Sequence, residues 1–342
     1  MQNLNSIGEN HVPVLLKETL EALKVDEIAH SKEALQGAPE RSSGRRGRFI
    51  DATLGMGGHT EAIVKLGGRV LGIEQDPRSL EVAKTRLEEA LLRSKKSFGG
   101  SETCPPPLDK HKNAAISRGS YTLVHGNFKD MGKIAKDYSF QDVDGILFDL
   151  GISSFQLEKE RGFSYQDPEA LLDMRADETS QEVRAADLLN ALNEGQLREM
   201  FSEVMPFYES KILSERIIEA RKTKKINSVG DLLSILGSLP GSKKSLNPAT
   251  LPFLALRVKV NSELENLREG LPQSFRLLGK KGRLVVISFH SREDVIVKKF
   301  FKEKENEGLA EILTKKPIIP SSDESERNPR SKSAKMRVLE KK

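Results

Sequence analysis

The sequence lacks the features that mark secreted, membrane-spanning and disulfide-stabilised proteins. Its 342 residues contain one cysteine, Cys104, which excludes an internal disulfide and predicts a reducing compartment, the cytoplasm. No apolar run approaches the roughly 20 residues that span a bilayer. Residues 1–14 have neither the basic start nor the apolar core of a secretory signal. The histidines have no suitably spaced partner ligands, so no metal site is predicted. The length allows one large domain or two ordinary ones.

Positive charge is only slightly in excess, but it is unevenly placed. Lys and Arg number 55 against 50 acidic residues, which gives a net charge of +5. Residues 41–48 hold four arginines and no acid, and residues 327–342 hold seven basic residues and one acid. Blocks of this kind either bind phosphate or are solvated surface. Both interpretations stay open at this point.

Short apolar runs alternate with helical stretches from residue 49 onward. Such runs are typical of strands buried on both faces of a parallel sheet. Strands joined by helices form right-handed crossovers, so the pattern predicts a doubly wound, mostly parallel α/β sheet. The predicted strands lie at 49–55, 69–76, 121–128, 143–151, 279–290 and 333–341.

The pattern changes in the middle of the chain. Residues from about 160 to 245 contain helical periodicity and no convincing strand, which predicts an all-α domain at 158–245. This domain is inserted into a discontinuous α/β domain formed by 1–157 and 246–342. Polar stretches near 28–48 and 93–120 lack periodicity and predict disordered or surface insertions. Residues 248–278 read as one long helical stretch.

A glycine cluster directly follows the first predicted strand. Gly55, Gly57 and Gly58 remove side chains where the backbone must approach a ligand. Glu74 ends the second strand, 19 residues after Gly55, where an acid accepts hydrogen bonds from ribose hydroxyls in doubly wound folds. Thr60 replaces the third glycine of the dinucleotide fingerprint, which disfavours a pyrophosphate ligand. The pattern therefore favours S-adenosylmethionine, which has no phosphate, over a nicotinamide dinucleotide.

The third and fourth strands also end in residues suited to a nucleoside. Phe128 offers an apolar ring for one face of adenine, and Asp149 lies at the carboxyl end where ligands of open α/β sheets bind. Three alternatives stay open. The first is that Phe128 only packs in the core. The second is that Glu74 is a helix N-terminal charge, and the third is that His59 is an exposed loop residue.

Several segments together resemble the bacterial 16S ribosomal RNA cytosine-N4 methyltransferase family. They lie at 11–23, 51–60, 72–84, 144–165, 172–177, 248–264, 282–301 and 328–340. The resemblance covers nearly the whole chain except the stretches near 28–48 and 93–120. It implies a Rossmann-like class I methyltransferase fold and an S-adenosylmethionine donor. It also implies a target cytidine in the decoding region (P site) of 16S rRNA in the small ribosomal subunit.

The resemblance also implies individual cofactor contacts. Carried over residue by residue, they fall on Gly57, Gly58, His59, Glu74, Phe128, Asp149 and Gln156. The sequence departs from the family at Glu74, where relatives usually carry Asp. Further departures lie at Leu251–Leu254, Arg292 and Val295.

Polar residues near the predicted strand ends are candidates for the substrate side. Those expected to line a base pocket are Ser153, Ser154, Asn261, Ser288, His290 and Ser291. Those expected to contact RNA phosphate are Arg161, Arg175, Arg330 and Arg337. The alternatives are that His290 caps a helix and that the arginines form ordinary ion pairs.

Asp149 is also the candidate catalytic residue. An oxygen that accepts the N–H of cytosine N4 would localise the nitrogen lone pair and stabilise the charge that develops on it. The resemblance gives Asp149 a cofactor role instead, and both roles stay open. No cysteine lies near the predicted site, so a covalent mechanism at cytosine C5 is not expected.

Three functions are compatible with these patterns. The favoured one is an rRNA cytosine-N4 methyltransferase, with 16S rRNA within the small subunit as partner and no membrane. The alternatives are an RNA-binding ribosome-assembly factor with a degenerate cofactor site and a nicotinamide-dependent oxidoreductase. The sequence does not determine the oligomeric state, and a homodimer is one alternative.

Overall fold

A computed structural model describes residues 12–29, 47–97, 116–118, 121–157, 160–237 and 247–342. The chain divides into two compact units. The sheet unit consists of Met1–Gly151 and Asn266–Lys342, and the helical unit consists of Ile152–Glu265.

The sheet unit is built on eight strands. They are β1 (Arg48–Asp51), β2 (Arg69–Glu74), β3 (Ile116–Arg118), β4 (Tyr121–His125), β5 (Val143–Asp149), β6 (Leu278–Ser288), β7 (Ala310–Ile312) and β8 (Lys335–Lys341). Their spatial order is β3-β4-β2-β1-β5-β6-β8-β7. The five strands from β4 to β6 are parallel, whereas β3, β8 and β7 pair antiparallel. The prediction of a doubly wound, mostly parallel, Rossmann-like α/β sheet is confirmed.

Helices connect these strands and make up most of the helical unit. In chain order they are α1 (Leu16–Ala22), α2 (Val25–Ala29), α3 (Gly58–Lys65), α4 (Pro77–Ser97), α5 (Met131–Asp137), α6 (Ala185–Ala191), α7 (Glu194–Ser202), α8 (Phe207–Thr223), α9 (Val229–Leu236), α10 (Thr250–Val260), α11 (Glu263–Leu277), α12 (Ser291–Asn306) and α13 (Ser322–Arg327). None of the helices in the described ranges has the length and hydropathy of a membrane span.

The central strands are buried on both faces, as their continuous apolar runs predict. Ile50 and Ile146 belong to an apolar cluster on one face of the sheet. Their chain neighbours Phe49 and Leu147 belong to a separate cluster on the other face, because successive side chains of a strand point in opposite directions. Each of these four side chains is at most 1% exposed. This rigid layer fixes the carboxyl ends of β1, β2, β4 and β5 at one edge.

The structure refines several boundaries. Most of the predicted insertions near 28–48 and 93–120 lies outside the described residues, as does Cys104. Within 93–120, residues 93–97 continue α4 and residues 116–118 form β3 beside β4. A three-residue edge strand flanked by polar residues has no detectable periodicity, which explains why the sequence pattern does not predict β3.

The predicted long helical stretch at 248–278 is two helices. Ser262 adopts a left-handed backbone with φ of 50° between α10 and α11. Contacts place α10 in the helical unit, whereas the sequence pattern placed residues after 245 with the sheet. The domain boundaries at 158 and 245 stay a prediction.

Candidate functional site

The glycine cluster forms a tight loop between β1 and α3. Gly55 and Gly57 have φ of 53° and 77°, a left-handed conformation that glycine adopts without steric cost. A Cβ at Gly57 would lie 3.2 Å from the Cβ of Ala83 on α4, and a Cβ at Gly58 would lie 2.4 Å from Cγ of Pro13. The glycines are thus required for packing against α4 and the segment before α1.

Asp51, the last residue of β1, holds the residues around the glycine loop through two hydrogen bonds. Its Oδ2 accepts a hydrogen bond from the Thr60 hydroxyl at 2.7 Å, and its Oδ1 accepts one from the Thr53 nitrogen at 3.4 Å. Burial nevertheless raises the pKa of Asp51 to about 6. Thr60, which replaces the third glycine of the dinucleotide fingerprint, therefore has a structural role in the first turn of α3, where it binds the end of β1.

Glu74 joins the end of β2 to the glycine loop. Its Oε2 accepts a hydrogen bond from the Gly55 nitrogen at 2.7 Å, and its Oε1 accepts one from the Asp76 nitrogen at 2.9 Å. Burial, together with the negative charges of Asp76 and Asp51, raises the pKa of Glu74 to about 8. The acid that caps α4 is Asp76, whose Oδ1 accepts a hydrogen bond from the Arg78 nitrogen at 3.0 Å. Glu74 instead binds the glycine loop.

Asp149 ends β5 beside His59 of α3. The Asp149 nitrogen donates to the Thr53 hydroxyl at 2.6 Å, and its Oδ2 lies 3.5 Å from His59 Nδ1. Its Oδ1 is buried without a hydrogen-bond partner. Burial, followed by the charges of Asp51 and Glu293, raises the pKa of Asp149 well above its usual range. An orphaned, buried carboxylate oxygen of this kind calls for a ligand that supplies positive charge or a hydrogen-bond donor.

His59 is buried, at 5% exposure, so the alternative of an exposed loop residue is wrong. Its Nε2 lies 3.1 Å from the carbonyl oxygen of Val14. Leu15, with φ of 52°, donates its backbone nitrogen to Glu324 Oε1 at 2.8 Å. The segment before α1 therefore forms part of the site. The only signal for it in the sequence is its likeness to the start of the resembling family.

Phe128 follows β4 in a short 3-10 turn. Its ring meets Phe148 edge to face, with centroids 5.4 Å apart. A Cβ at Gly270 would lie 2.9 Å from its Cδ2, so the ring rests on the bare backbone of α11. The ring is half-buried and packs against the core, which is also what the alternative of a core residue expects.

Sequence reasoning missed Asn127 and Gln75. The Asn127 amide donates to the Gln75 side-chain oxygen at 3.0 Å, and the Asn127 Oδ1 accepts from the Lys129 nitrogen at 3.0 Å. The first bond joins the residues that follow β4 and β2, and the second caps the turn that carries Phe128. The signal was present as Asn directly before the predicted adenine-stacking ring.

The candidates at the end of β6 and the start of α12 differ in their surroundings. His290 directly precedes α12, where Glu293 Oε2 accepts from the His290 nitrogen at 3.2 Å and Glu293 Oε1 lies 3.2 Å from His290 Nε2. Ser288 is buried and donates to the Lys335 carbonyl at 3.3 Å. The His290 backbone occupies the N-cap position of α12, but both of its ring nitrogens are buried without a hydrogen-bond partner among the described residues. Ser291 is the exposed first residue of α12.

The two C-terminal arginines differ in environment. Arg330 is exposed on the short turn Pro329–Ser333. Arg337 is only 8% exposed, and its Nε and Nη2 lie 2.6 and 3.1 Å from the carboxylate oxygens of Asp294. The expectation of a phosphate contact for Arg337 is corrected, because its guanidinium is held inside the protein.

Within the helical unit, the predicted residues around 172–177 form one hydrogen-bonded loop. Arg175 pairs with Asp173 at 2.7 Å and donates to the Gln181 carbonyl at 2.9 Å. The Asn261 amide oxygen accepts from the Ala176 nitrogen at 2.7 Å. These side chains position the loop, and their substrate roles stay predictions.

Arg161 stabilises the same loop through hydrogen bonds to its backbone. Its Nη2 donates to the carbonyl oxygens of Arg175 and Ala176 at 2.8 and 3.0 Å, and its side chain lies over the ring of Phe163. At 6% exposure it has a structural role in place of the expected phosphate contact.

Gln156 and the two serines lie just after the boundary between the units. Gln156 is buried, and its Oε1 accepts from the Ser153 nitrogen at 3.0 Å. The side chain of Ser154 lies outside the described part of the chain. The predicted contacts of these residues with a ligand stay predictions.

In the sheet unit, the structure brings together residues from four strand ends. Two buried acids (Asp51 and Glu74) and the partly exposed Asp149, whose Oδ1 is buried, surround the glycine loop, with His59 as the neighbouring titratable base. An excess of buried carboxylates is electrostatically costly when no cation accompanies it. The arrangement therefore fits a ligand that carries both a positive charge and hydroxyl donors.

The chain is similar to several known proteins. The sequence profile of the MraW methylase family matches residues 8–342. A protein named ribosomal RNA small subunit methyltransferase H from Sulfurihydrogenibium azorense is 40% identical over 299 residues, covering 86% of this chain and 92% of the relative. A protein of the same name from Methylacidiphilum infernorum is 37% identical over 343 residues, covering 96% and 94%. A solved rRNA methylase from Streptococcus thermophilus aligns with a TM-score of 0.42 at 9% identity, covering 97% of this chain and 98% of that one.

Proposed function

The chain belongs to the MraW methylase family, and from this premise we propose that it methylates the exocyclic N4 of a cytidine in 16S rRNA. The donor is S-adenosylmethionine, and the target lies in the decoding region (P site) of the small ribosomal subunit. The observation that carries the proposal is the buried, unpartnered oxygen of Asp149 among acids at the sheet edge. The name of the relatives, ribosomal RNA small subunit methyltransferase H, supports the class of acceptor.

The residues at the strand ends fit this donor. Gly57 and Gly58 leave the backbone bare beside the loop, and Glu74 offers carboxylate oxygens to ribose hydroxyls. Phe128 covers one face of the adenine. Asp149 and His59 complete the contacts within the sheet unit, and the family resemblance implies a further contact from Gln156. The donor supplies an electrophilic methyl group on a positively charged sulfur.

The protein's main task on the acceptor side is placement. The amino nitrogen must lie in line with the methyl group at about 3 Å, with water excluded. Cytosine N4 is a weak nucleophile because its lone pair is delocalised into the ring. An acceptor for its N–H, the role proposed for Asp149, localises that lone pair, stabilises the positive charge that develops on nitrogen and takes the proton that the nitrogen then loses. The target base is unstacked before it enters the site.

The helical domain, 158–245, recognises the substrate, and 1–157 with 246–342 carry the methyltransferase site. Ser153, Ser154, Asn261 and His290 contact the base, and Arg175 and Arg330 hold the surrounding RNA. Stacking and phosphate contacts of this kind are how proteins hold unpaired RNA. The enzyme acts in the cytoplasm.

The decisive experiment is transfer of a labelled methyl group from S-adenosylmethionine to small subunits that lack the modification, followed by nucleoside mass spectrometry. We expect label in N4-methylcytidine, and we expect it to vanish in Glu74→Ala. The matched control is Glu81→Ala, an exposed acid on α4, which should leave transfer unchanged. Label in another nucleoside would refute the acceptor, and absence of donor binding would favour an assembly factor with a degenerate site.

A further inference from the structure

The hydrogen bonding of His59 determines where its proton lies. Nε2 lies 3.1 Å from the carbonyl oxygen of Val14, and a carbonyl oxygen only accepts, so Nε2 carries a hydrogen. In a neutral imidazole the other nitrogen, Nδ1, then bears a lone pair. Nδ1 faces Asp149 Oδ2 at 3.5 Å. A lone pair opposite a carboxylate is repulsive unless a second proton lies on one of the two groups.

The surroundings of Asp149 disfavour a bare negative charge. Asp51 on β1 and Glu293 on α12 both face it and repel its ionised form. The Asp149 backbone nitrogen donates to the Thr53 hydroxyl oxygen. This hydrogen bond involves the backbone, so it does not stabilise a negative charge on the carboxylate. The carboxylate Oδ1 is buried without a partner. His59, at 5% exposure, is the titratable base beside it, and one proton held between the two side chains would make the pair neutral.

We propose that His59 and Asp149 hold this proton in the free protein and release it when the sulfonium of the methyl donor binds, so that the pair distinguishes the donor from its demethylated product. This inference rests on the proposed function. Before binding the pair has a net charge of zero. On binding one proton leaves to solvent, the carboxylate becomes negative, and the positive sulfur compensates it. The thioether product brings no such charge, so the proton stays.

The consequence is a selectivity between donor and product that depends on pH. A binding step that releases one proton strengthens about tenfold per pH unit, by linkage. The product shares the adenine, the ribose and the amino-acid part of the donor and differs from it only at the sulfur. Any proton change at Glu74, the proposed ribose contact, is therefore common to both ligands. The difference in proton release between the two ligands therefore reports on His59 and Asp149 alone.

The test is calorimetric titration of the protein at pH 7 in buffers with different ionisation enthalpies, which counts the protons exchanged on binding. The ligands are S-adenosylmethionine, S-adenosylhomocysteine and sinefungin, an analogue with an ammonium group near the position of the sulfonium. We expect the donor and sinefungin each to release about one proton more than S-adenosylhomocysteine does. Equal counts for the donor and S-adenosylhomocysteine would overturn the inference alone. Failure of all three ligands to bind would overturn the proposed function.

Two variants assign the proton to its site. In Asp149→Asn we expect the difference between donor and product to disappear while S-adenosylhomocysteine still binds. In the matched control, Glu74→Gln, the counts for both ligands should change together and their difference should persist. A difference that survives in Asp149→Asn would refute the assignment. The comparison of ligands on the unaltered protein needs no variant and remains decisive if a variant does not fold.

Discussion

Glu74 Oε2 accepts a hydrogen bond from the backbone nitrogen of Gly55 at 2.7 Å. This contact joins the end of one strand to the loop that follows its neighbour, and it orients the carboxylate toward the proposed ribose position. Its other oxygen accepts from the Asp76 nitrogen. Both oxygens of Glu74 therefore face backbone donors, which an amide in its place cannot match, since its NH₂ group would meet one of them.

Glu74→Gln should weaken binding of S-adenosylmethionine by about 10- to 100-fold, the usual effect of losing a hydrogen bond to a charged group. Glu74→Asp, which restores the residue common in the resembling family, should bind more tightly than Glu74→Gln because it keeps the carboxylate. The measurement is the dissociation constant by calorimetry, with Glu81→Gln on the exposed face of α4 as control. Equal affinity of Glu74→Gln and the unaltered protein would exclude Glu74 from the donor site.

The raised pKa of Glu74 makes stability depend on pH. Its value is about 8 in the folded protein against an ordinary 4.5, so the folded state binds a proton that the unfolded state has lost. The stabilisation is therefore complete below pH 4.5 and is lost as pH rises to about 8. Each pH unit in this window costs at most about 1.4 kcal/mol for one group.

Glu74→Gln removes this titration. The free energy of unfolding of the unaltered protein, measured by denaturant titration without ligand, should fall relative to that of the variant between pH 5 and 8. Asp51, whose pKa is about 6, titrates in both proteins, so the comparison removes its contribution except for its charge repulsion with Glu74. A constant difference across the range would mean that Glu74 is ionised throughout it.

The fold was largely predictable because its core strands are short, apolar and regularly spaced. Phe49, Ile50 and their counterparts in β5 are buried on both faces, and this burial is what makes the runs continuous. The edge strand β3 was not predictable, since it has three residues among polar neighbours. The break at Ser262 was also missed, because the left-handed residue there follows Asn261, whose side chain bonds to carbonyl oxygens of Met174 and Arg257.

The sequence predicts the parts of the site whose residues are close together along the chain. It does not predict the parts that form only when distant segments pack together. The glycine loop and Glu74 follow consecutive strands, so their spacing indicates a nucleoside site. The contact of Pro13 with Gly58, like that of Val14 with His59, joins residues 45 positions apart, and no local pattern encodes it. Arg337 illustrates the same limit, since only the fold brings Asp294 to it.

Gly58→Ala should disturb the contact between the loop and the segment before α1. The new Cβ would lie 2.4 Å from Cγ of Pro13, so one of the two must move, and inserted groups in packed sites typically cost about 1–3 kcal/mol. We expect a lower free energy of unfolding and weaker binding of S-adenosylmethionine. Gly195→Ala, on the exposed surface of α7, is the control and should be neutral or slightly stabilising. Unchanged stability and binding in Gly58→Ala would show that the Pro13 contact is dispensable.

Arg330 and Arg337 should separate RNA binding from stability. Arg330→Ala removes one exposed positive charge, so binding of small-subunit rRNA should weaken and the slope of log affinity against log salt should fall by about one. Arg337→Ala leaves the half-buried Asp294 without its main partner, and losing a hydrogen-bonded charge of this kind typically costs about 1.5–3 kcal/mol of unfolding free energy. Its salt slope should not change, because its guanidinium is held by Asp294 inside the protein.

The measurements are filter binding across a salt series and denaturant unfolding of both variants. The opposite pattern, with a reduced slope in Arg337→Ala and none in Arg330→Ala, would mean that the tail reorganises to present Arg337 when RNA binds.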